Sequence, residues 1–400
     1  MTDLLVAGGT VLAPGGPVRA DVAVAGGRIT AVGPDLVTTG PAPAATMRRL
    51  DATGLVVAPG FVDLQCNGAV GVDLTAQPER LWEVAAALPR WGVTAWLPTI
   101  VTSSPTARIR LRAALATSPS GPAAPAARPL GAHLEGPFLA PERRGAHDPE
   151  LMVPPSTALV ATEDWSRDAG VALVTLAPEL PGALDVAGEL VGRGVVVAAG
   201  HSTASAAEAR AAFDAGVRYV THLFNAMPPL HHRAPGLAGV ALTDERVHVG
   251  LIADGLHVDP TMVALAARLL GPRLSLVSDA VAALGAPPGP VRLGELAASV
   301  SEADGAVRLD DGTLAGSTLA LDRAVRHLMA YAGVSLTEAV RSVTAVPAAV
   351  LGLADRGVVA PGAVGDLVIL TLDGHVVATV VAGHVAYDGR ASGARIQPSG

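Results

Sequence analysis

The sequence predicts an α/β protein: a (β/α)8 TIM-like barrel with a small β-sandwich domain built from both chain termini. The middle of the chain alternates apolar, strand-like runs with alanine-rich helical runs. Eight such β-then-α units in roughly 220 residues match the size of a (β/α)8 barrel. Both ends of the chain instead alternate short strands with glycine turns, which is typical of β structure. A doubly wound sheet is the competing arrangement of the same central units.

The expected barrel strands are short apolar runs near 56–65, 94–101, 129–135, 171–177, 195–200, 219–224, 248–253 and 274–279. Helical segments between them include 79–92 and 202–216. The second of these is expected to start at Ser202 and Thr203 and to stop at Gly216, because such residues favour helix ends. The Pro- and Ala-rich stretch 118–129 predicts an exposed loop.

The two terminal segments, 3–33 and 357–389, are similar in pattern. Two separated β segments can form one domain into which the middle of the chain is inserted. We therefore expect residues 1–54 and 356–400 to form the β-sandwich and residues 55–355 to form the barrel.

Composition excludes several classes of protein. Half of the residues are hydrophobic and mean hydropathy is +0.44, yet we find no apolar run of 18 residues that predicts a membrane span. The first ten residues lack the features of a secretory signal and there is a single cysteine, so a cytoplasmic protein without an internal disulfide is expected. The net charge of −8 argues against a nucleic-acid partner. An anionic substrate would need local positive charge, and His231-His232-Arg233 is the one cluster that stands out.

Polar side chains follow the predicted strands where each strand ends, and barrel enzymes keep their active sites at those ends. Taken singly, each has an ordinary explanation, such as a helix cap for an aspartate or a loop position for a histidine. Together they indicate one site, because buried carboxylates and imidazoles are costly unless they are paired or bind a metal. The set comprises Gln65, Asn67, Glu135, His201, His222, Asn225, Asp254, His257 and Asp279.

Glu135, His201 and His222 supply one carboxylate and two imidazoles. Such a set leaves a fourth position open for water, as in catalytic zinc sites. A metal ion there would lower the pKa of that water and polarise a carbonyl group. Hydrolysis also requires a base that takes the proton from water and returns it to the leaving group, and Asp279 is the remaining suitable carboxylate.

The motifs PGFVDLQCNG, HLEGPF, GHS, THLFNAM, ADGLHVD, SDA and DGTLAGS occur in this order along nearly the whole chain. With them the sequence resembles the N-acetylglucosamine-6-phosphate deacetylase family of the amidohydrolase superfamily. The resemblance implies hydrolysis of the acetamide of a 6-phosphorylated amino sugar to glucosamine 6-phosphate and acetate. It also implies that Asp279 is the catalytic base and acid.

Many members of the superfamily have His-x-His at the end of strand one and bind two metal ions, whereas one branch of this family has Gln-x-Asn and binds one. Here the positions are Gln65 and Asn67, so the resemblance implies a single divalent ion on Glu135, His201 and His222. Amides are weak ligands for such ions. Zinc is the first choice, while Fe²⁺, Mn²⁺ and Co²⁺ accept the same ligands. Cys66, between the two amides, is expected to pack in the core.

The resemblance also implies substrate-binding residues, which are matched by less specific motifs than the metal ligands are. Arg233 would bind the phosphate from the neighbouring subunit of a homodimer, and forked Arg donors suit phosphate. His257 would be a second phosphate contact, and the loop 314–316 would close on the substrate. The implied substrate-binding set is Ala146, His147, Asn225, Ala226, Arg233, Asp254, His257, Leu314, Ala315 and Gly316.

Three other functions can be compared with the same residues. Another N-acetyl amino sugar phosphate, such as N-acetylgalactosamine 6-phosphate, fits the same residues, because nothing in the sequence separates the C4 epimers. A cyclic-amide hydrolase with two metals usually needs His-x-His and a bridging lysine, and the sequence contains no lysine. A non-catalytic sugar-phosphate binding protein would not need a base beside an open metal position.

Overall fold

The computed structural model describes residues 4–36, 47–117, 125–287, 289–301 and 303–390. The strands, in chain order, are β1 (Leu4–Ala13), β2 (Gly16–Ala25), β3 (Arg28–Gly33), β4 (Arg48–Asp51), β5 (Val56–Pro59), β6 (Phe61–Cys66), β7 (Gly68–Ala69), β8 (Val72–Asp73), β9 (Val93–Ile100), β10 (Arg128–Pro129), β11 (Ala132–Glu135), β12 (Val171–Leu176), β13 (Val196–Ala199), β14 (Tyr219–Val220), β15 (His248–Leu251), β16 (Leu274–Leu276), β17 (Pro290–Leu293), β18 (Leu296–Val300), β19 (Val307–Arg308), β20 (Leu367–Leu370), β21 (Val376–Val381) and β22 (His384–Asp388). The α-helices are α1 (Leu81–Ala87), α2 (Pro105–Leu115), α3 (Thr157–Thr162), α4 (Ala183–Gly192), α5 (Ala206–Asp214), α6 (Gly236–Thr243), α7 (Pro260–Leu270), α8 (Leu321–Ala332), α9 (Leu336–Arg341) and α10 (Ala345–Val350).

Eight parallel strands form a nearly closed barrel in the order β6, β9, β11, β12, β13, β14, β15, β16. A single bridge between Cys66 and Ala280 joins the end of β6 to the loop after β16 and completes the circle. The predicted (β/α)8 barrel is therefore confirmed, and the doubly wound alternative is excluded. Because all eight strands are parallel, their carboxyl ends face the same side of the molecule.

The two chain ends share one mixed sheet, with the strand order β22, β21, β20, β5, β1, β2, β3 and with β4 beside β1. Strands β5 and β20 join the two ends, with Pro59 opposite Leu367. The sheet curls about a core of its own, to which Val11, Val22 and Ile369 contribute. A small β domain built from both termini was predicted and is confirmed, although its strands form a single connected sheet.

The first predicted barrel strand, 56–65, is two strands. Residues Val56–Pro59 (β5) lie in the terminal sheet, and only Phe61–Cys66 (β6) lies in the barrel. The chain changes sheets at Gly60, where an added Cβ would lie 2.1 Å from Oγ1 of Thr94. Only glycine allows so close an approach. Both strands are fully buried, and the Pro59-Gly60 pair between them is the local sequence signal of the change.

Helix α5 begins later than predicted. Its N-cap is Ser205, which forms a reciprocal capping box with Glu208, whereas Ser202 and Thr203 bind the carboxylate of Glu179 instead. The helix ends at Asp214, shortly before the predicted stop at Gly216.

The predicted loop 118–129 lies partly outside the described residues, which resume at position 125. Its last two residues are not loop but form the short strand β10, which pairs with β9. Arg128 pairs with Ala95 and His133 of β11 pairs with Thr99, so β10 is the beginning of the third barrel strand.

A small antiparallel sheet, β17 to β19, is inserted between β16 and α8 and was not predicted. Its inner side packs on Val101, Ala146 and Val281, which follow barrel strands. The turn between β17 and β18 is fixed by Asp73, whose Oδ2 accepts a 2.7 Å hydrogen bond from the Gly294 amide. We call residues 290–301 and 303–308 the flap, because they cover one side of the open end of the barrel.

The barrel core is formed chiefly by Ala, Val and Leu, as the low aromatic content predicts, with a few large side chains such as Trp96 and Phe213. Cys66 is buried in it as a free thiol. Across the described ranges, every helix is too short or too polar to traverse a bilayer.

Candidate metal and catalytic site

Four ionisable side chains meet at the carboxyl end of the barrel. Glu135 is the last residue of β11, while His201, His222 and Asp279 lie in the loops just after β13, β14 and β16. All four are buried, with at most 9% of the residue surface exposed. The structure therefore brings together all of the residues predicted for metal binding and for base catalysis.

Three of the atoms converge on one point. Nε2 of His222 lies 2.9 Å from Oε1 of Glu135, Nε2 of His201 lies 3.2 Å from the same oxygen, and the two Nε2 atoms are 3.0 Å apart. Ligands of a tetrahedral zinc ion, with bonds of about 2.0–2.1 Å, lie about 3.3 Å from one another. The spacing and the chemistry of the donor set therefore fit a divalent cation.

The ring of His201 is oriented for this role by the backbone. Its Nδ1 lies 2.9 Å from the carbonyl oxygen of Arg143, which can only accept a hydrogen bond. Nδ1 therefore bears the proton of the neutral imidazole and Nε2 has a free lone pair. A second hydrogen bond of this kind is the usual way in which proteins fix a metal-binding histidine.

The carboxylate of Glu135 is buried and is stabilised by the two neighbouring imidazoles. Burial alone would raise the pKa of Glu135, but its close contacts with the imidazoles of His201 and His222 lower it well below its usual range. The pKa of His222 is raised, since its contact with Glu135 outweighs the opposing effect of burial. Glu135 is therefore a carboxylate at neutral pH, the form that binds a cation.

Asp279 is held by the two amides of strand β6. Nδ2 of Asn67 and Nε2 of Gln65 donate to its Oδ1 at 2.8 and 3.1 Å, and Gln65 also donates to Oε1 of Glu135 at 3.0 Å. Burial, together with the negative charge of Glu135, raises the pKa of Asp279 to about 7. A carboxyl group with such a pKa can both take and release a proton near neutral pH. The amide groups of Gln65 and Asn67 direct N–H donors at Glu135 and Asp279. These donors offer no lone pair to a second metal ion.

His147 approaches the same cluster but differs from His201 in its tautomer. Glu135, His147 and His201 each offer a ligand atom within 4.8 Å of the others, so these three could also be considered a metal site. However, Nδ1 of His147 accepts a 3.1 Å hydrogen bond from the Thr102 amide. Burial lowers the pKa of His147 to about 3, so the ring is neutral and its proton is on Nε2. His147 thus presents an N–H donor to the cavity and not a free lone pair.

Backbone conformation at the site is unusual. His201, His222 and Asp279 have φ angles of 48°, 30° and 47°, and Ala226 has 52°. Non-glycine residues rarely adopt this left-handed region, and such strain concentrates at functional sites. Sequence patterns give no sign of it.

A cavity of about 220 Å³ lies over these residues. Most of the predicted substrate-binding residues line it: Ala146, His147, Asn225, Ala226, His257, Leu314 and Gly316. His257 is held by Asp254, whose Oδ2 accepts from Nδ1 of His257 at 2.6 Å. Nδ1 is thereby occupied, and Nε2 is the ring nitrogen left to meet a ligand.

Three residues of the predicted set do not line the cavity. Asp254 lies behind His257, and the hydrogen bonds from His257 lower its pKa despite burial. Ala315 is fully buried in the core beneath the flap. Arg233 lies on an exposed loop beside His231 and His232, outside the cavity of its own chain. Direct substrate contacts for these three therefore remain predictions.

The sequence did not predict the contribution of the flap to the cavity. Leu293 of the flap and Thr313, which follows the flap in the sequence, line the cavity together with Val101 and Ile252. The alternating residues 290–300, with Gly294 at a turn, are a hairpin signal that could have indicated the flap. Contact with the site could not have been inferred from that signal, because it depends on how the flap packs.

Comparison with known proteins agrees with the fold. A model of the amidohydrolase family matches residues 56–386. The N-acetylglucosamine-6-phosphate deacetylase of Homo sapiens is 37% identical over 96% of this chain and 95% of its own. The N-acetylgalactosamine-6-phosphate deacetylase of Escherichia coli O157:H7 is also 37% identical, over 83% and 88%. Among solved structures, a variant of the Mycobacterium smegmatis N-acetyl-D-glucosamine-6-phosphate deacetylase in complex with N-acetyl-D-glucosamine-6-phosphate is 36% identical. It superposes with a TM-score of 0.86 over 96% of this chain and 100% of its own.

The fold and the site thus define a metal-dependent hydrolase with a barrel core. The chain belongs to the amidohydrolase family. The two relatives described above are named as amino sugar phosphate deacetylases.

Proposed function

We propose that this protein is a metal-dependent deacetylase that hydrolyses the acetamide of N-acetylglucosamine 6-phosphate to glucosamine 6-phosphate and acetate. The observation that supports it best is the convergence of Glu135, His201 and His222 beside Asp279. The deacetylases of the same name that align over nearly the whole chain support the choice of substrate.

Glu135, His201 and His222 would hold one divalent ion, for which zinc is our first choice on the basis of the nitrogen and oxygen donors. When bound, the ion would polarise the acetyl carbonyl and make water more acidic. The amides of Gln65 and Asn67 orient Asp279 and would not bind an ion themselves.

Asp279 would take the proton from the attacking water and deliver it to the nitrogen of the departing amine. Its Oδ1 already accepts two hydrogen bonds, from Asn67 and from Gln65, so Oδ2 is the oxygen that would receive the proton. His147, through Nε2–H, would donate to an oxygen of the sugar or of the acetyl group.

The phosphate would be bound by His257 and by Arg233 of the neighbouring subunit of a homodimer. The exposed position of Arg233 supports this proposal, because within its own chain the side chain lies outside the cavity. Asn225 and Ala226 would contact the sugar or the phosphate through a side-chain amide and a backbone N–H. Leu314, Ala315 and Gly316 would close over the substrate. We also propose a cytoplasmic location, which suits an enzyme with one buried free cysteine.

N-acetylgalactosamine 6-phosphate is a second candidate substrate. The E. coli O157:H7 relative named for that activity is as similar to this chain as the human relative named for the glucosamine compound. The two sugars differ only at C4, so the metal and base chemistry would be the same for both.

The decisive experiment measures acetate release from both epimeric phosphates, before chelation, after chelation, and after zinc is added back. Loss on chelation and recovery with about one zinc per chain would support the reaction and the single metal. Preference for one epimer would identify the substrate. Failure to release acetate from either sugar, with the metal site filled, would contradict the proposed function.

A further inference from the structure

One layer below the candidate metal site, the inside of the barrel contains a chain of hydrogen-bonded side chains. We call it the polar belt and define it by His133, Thr175 and Thr221. Each of the three has no solvent exposure. They come from strands β11 and β12 and from the residue after β14, so the belt crosses the barrel from one wall to the other.

The hydrogen bonds of the belt have a single direction. Nδ1 of His133 lies 3.1 Å from the carbonyl oxygen of Leu64, so this nitrogen is the donor. Because Nδ1 carries the ring proton, Nε2 of the neutral imidazole is the acceptor. Thr175 must then donate to Nε2 over 2.8 Å. Since its only hydroxyl proton is used, Thr221 must donate to Thr175, also over 2.8 Å.

Residues at both ends of the polar belt lie within two positions, along the sequence, of residues of the candidate site. Leu64 precedes Gln65, His133 is two residues before Glu135, and Thr221 directly precedes His222. A further link is made by Thr99, whose Oγ1 accepts from the Cys66 amide at 3.1 Å and lies 3.3 Å from Nδ1 of His133. The belt thus ties together the strands that hold two metal-ligand positions and both amides.

The strained backbone of His222 needs support from its surroundings, and the polar belt contributes to that support. A φ of 30° is unfavourable for histidine and persists only where the surroundings hold it. The backbone amide of Thr221 donates a 3.0 Å hydrogen bond to the Ala199 carbonyl in the barrel wall. The side chain of Thr221 is held by its hydrogen bond to Thr175 in the polar belt. The carbonyl of Thr175 in turn accepts from the Gly136 amide at 3.0 Å, just after Glu135.

From this geometry we infer that the polar belt is a positioning device for the metal ligands, with His133, Thr175 and Thr221 acting as positioning residues that fix Glu135 relative to His222. The inference rests on the proposed metal-dependent function. It assigns a role to a histidine that touches neither the cavity nor the substrate. Supporting residues around metal ligands commonly change metal affinity or activity by about 10- to 100-fold when they are altered.

The test compares Thr175→Val, which keeps the shape but removes the hydroxyl, with Thr175→Ser, which keeps the hydroxyl. Thr94→Val is the matched control, because Thr94 is also buried in a barrel wall but lies at the opposite end, where its hydroxyl contacts the Phe61 carbonyl at 3.4 Å and the carboxylate of Asp366. Zinc affinity is measured by competition with a chelating dye, and thermal unfolding is measured in parallel.

We expect Thr175→Val to weaken zinc binding by about 10- to 100-fold, and Thr175→Ser and Thr94→Val to stay close to the parent. Equal zinc affinity in Thr175→Val and the parent, with stability reduced as in Thr94→Val, would overturn the inference and leave the belt a structural feature. If Thr175→Val fails to unfold cooperatively, Thr221→Val tests the same chain one link further on.

This readout separates the inference from the proposed function. Zinc affinity does not depend on the identity of the substrate, so the belt can be tested whether or not acetate is released. A parent protein that binds zinc but deacetylates neither sugar would contradict the function alone.

Discussion

Nδ2 of Asn67 donates a 2.8 Å hydrogen bond to Oδ1 of Asp279. This bond places a neutral amide beside the proposed base. The proton affinity of Asp279 therefore depends on the charge of residue 67.

Asn67→Asp should raise the pKa of Asp279, because a second carboxylate would replace the amide donor with a like charge. A base must be deprotonated to act, so a higher pKa moves the acidic limb of kcat/KM to higher pH. We expect this limb to shift upward by about one unit or more. A pH profile that coincides with that of the parent would contradict the role of Asn67.

Asp279→Asn should reduce kcat by about 10²- to 10⁴-fold, because proton transfer to and from the water would be lost. Metal content should remain at the parental level, since the three proposed ligands are untouched. The measurements are turnover and metal analysis of the same preparation. Asp168→Asn, at an exposed position, is the control and should leave both unchanged. Near-normal turnover by Asp279→Asn would refute its assignment as base.

Fully active protein should contain one metal ion per chain. Gln65 and Asn67 direct N–H groups at Glu135 and Asp279, and those groups offer no lone pair to a second ion. Stepwise removal with a chelator and titration with zinc, followed by acetate release, measures the ratio. Full activity only at a ratio near two would contradict the single-metal site.

Arg233→Ala should raise KM for the phosphorylated sugar far more than for the unphosphorylated one, because the forked donors of arginine suit phosphate. Arg210→Ala, on the exposed side of α5, is the control. Equal effects on the two sugars would argue against phosphate binding.

Mixing Arg233→Ala with Asp279→Asn tests whether the arginine crosses the dimer interface. If it does, a mixed dimer has one site with both changes and one with neither, so activity should reappear on mixing. If Arg233 serves its own chain, both sites of the mixed dimer stay defective and activity does not return.

Asp63→Asn should change how stability depends on pH. Burial raises the pKa of Asp63 from 3.8 to about 6, so the folded protein binds this proton more tightly than the unfolded chain. The stabilising effect is complete below pH 4 and is lost as pH rises through 6. Asparagine can still accept from the amides of Gln65 and Ser278. Between pH 4 and 7 the variant should gain up to about 3 kcal/mol over the parent.

The measurement is the free energy of unfolding in denaturant at several pH values. Two curves that run parallel across this range would show that Asp63 has no raised pKa in the folded protein.

The sequence predicted the barrel well because buried parallel strands are short apolar runs followed by polar site residues. Glu135, His201 and Asp279 were recognised in this way, and each lies where a strand or the loop after it opens into the cavity. The pattern also correctly linked the two chain ends, since both alternate strands with glycine turns.

Other features depend on contacts between distant parts of the chain. The backbone of Gly60 lies against the side chain of Thr94, which belongs to another strand. The tautomer of His147 is set by the amide of Thr102, and the left-handed backbone of His222 by its surroundings. Neither periodicity nor residue type encodes these arrangements.

The pairing of Pro59 with Leu367 has a consequence for how the molecule is made. A ribosome that has released β1 to β5 has yet to synthesise the barrel and the partner strand of β5, which follows about 300 residues later. At about 5–20 residues per second, that interval lasts on the order of 15 to 60 seconds. During it, the edge of β5 that later pairs with β20 has no partner strand, while the barrel can begin to assemble from Phe61 onward. The terminal sheet can therefore close only after the barrel has been synthesised, and its closure joins the two terminal segments beside the barrel.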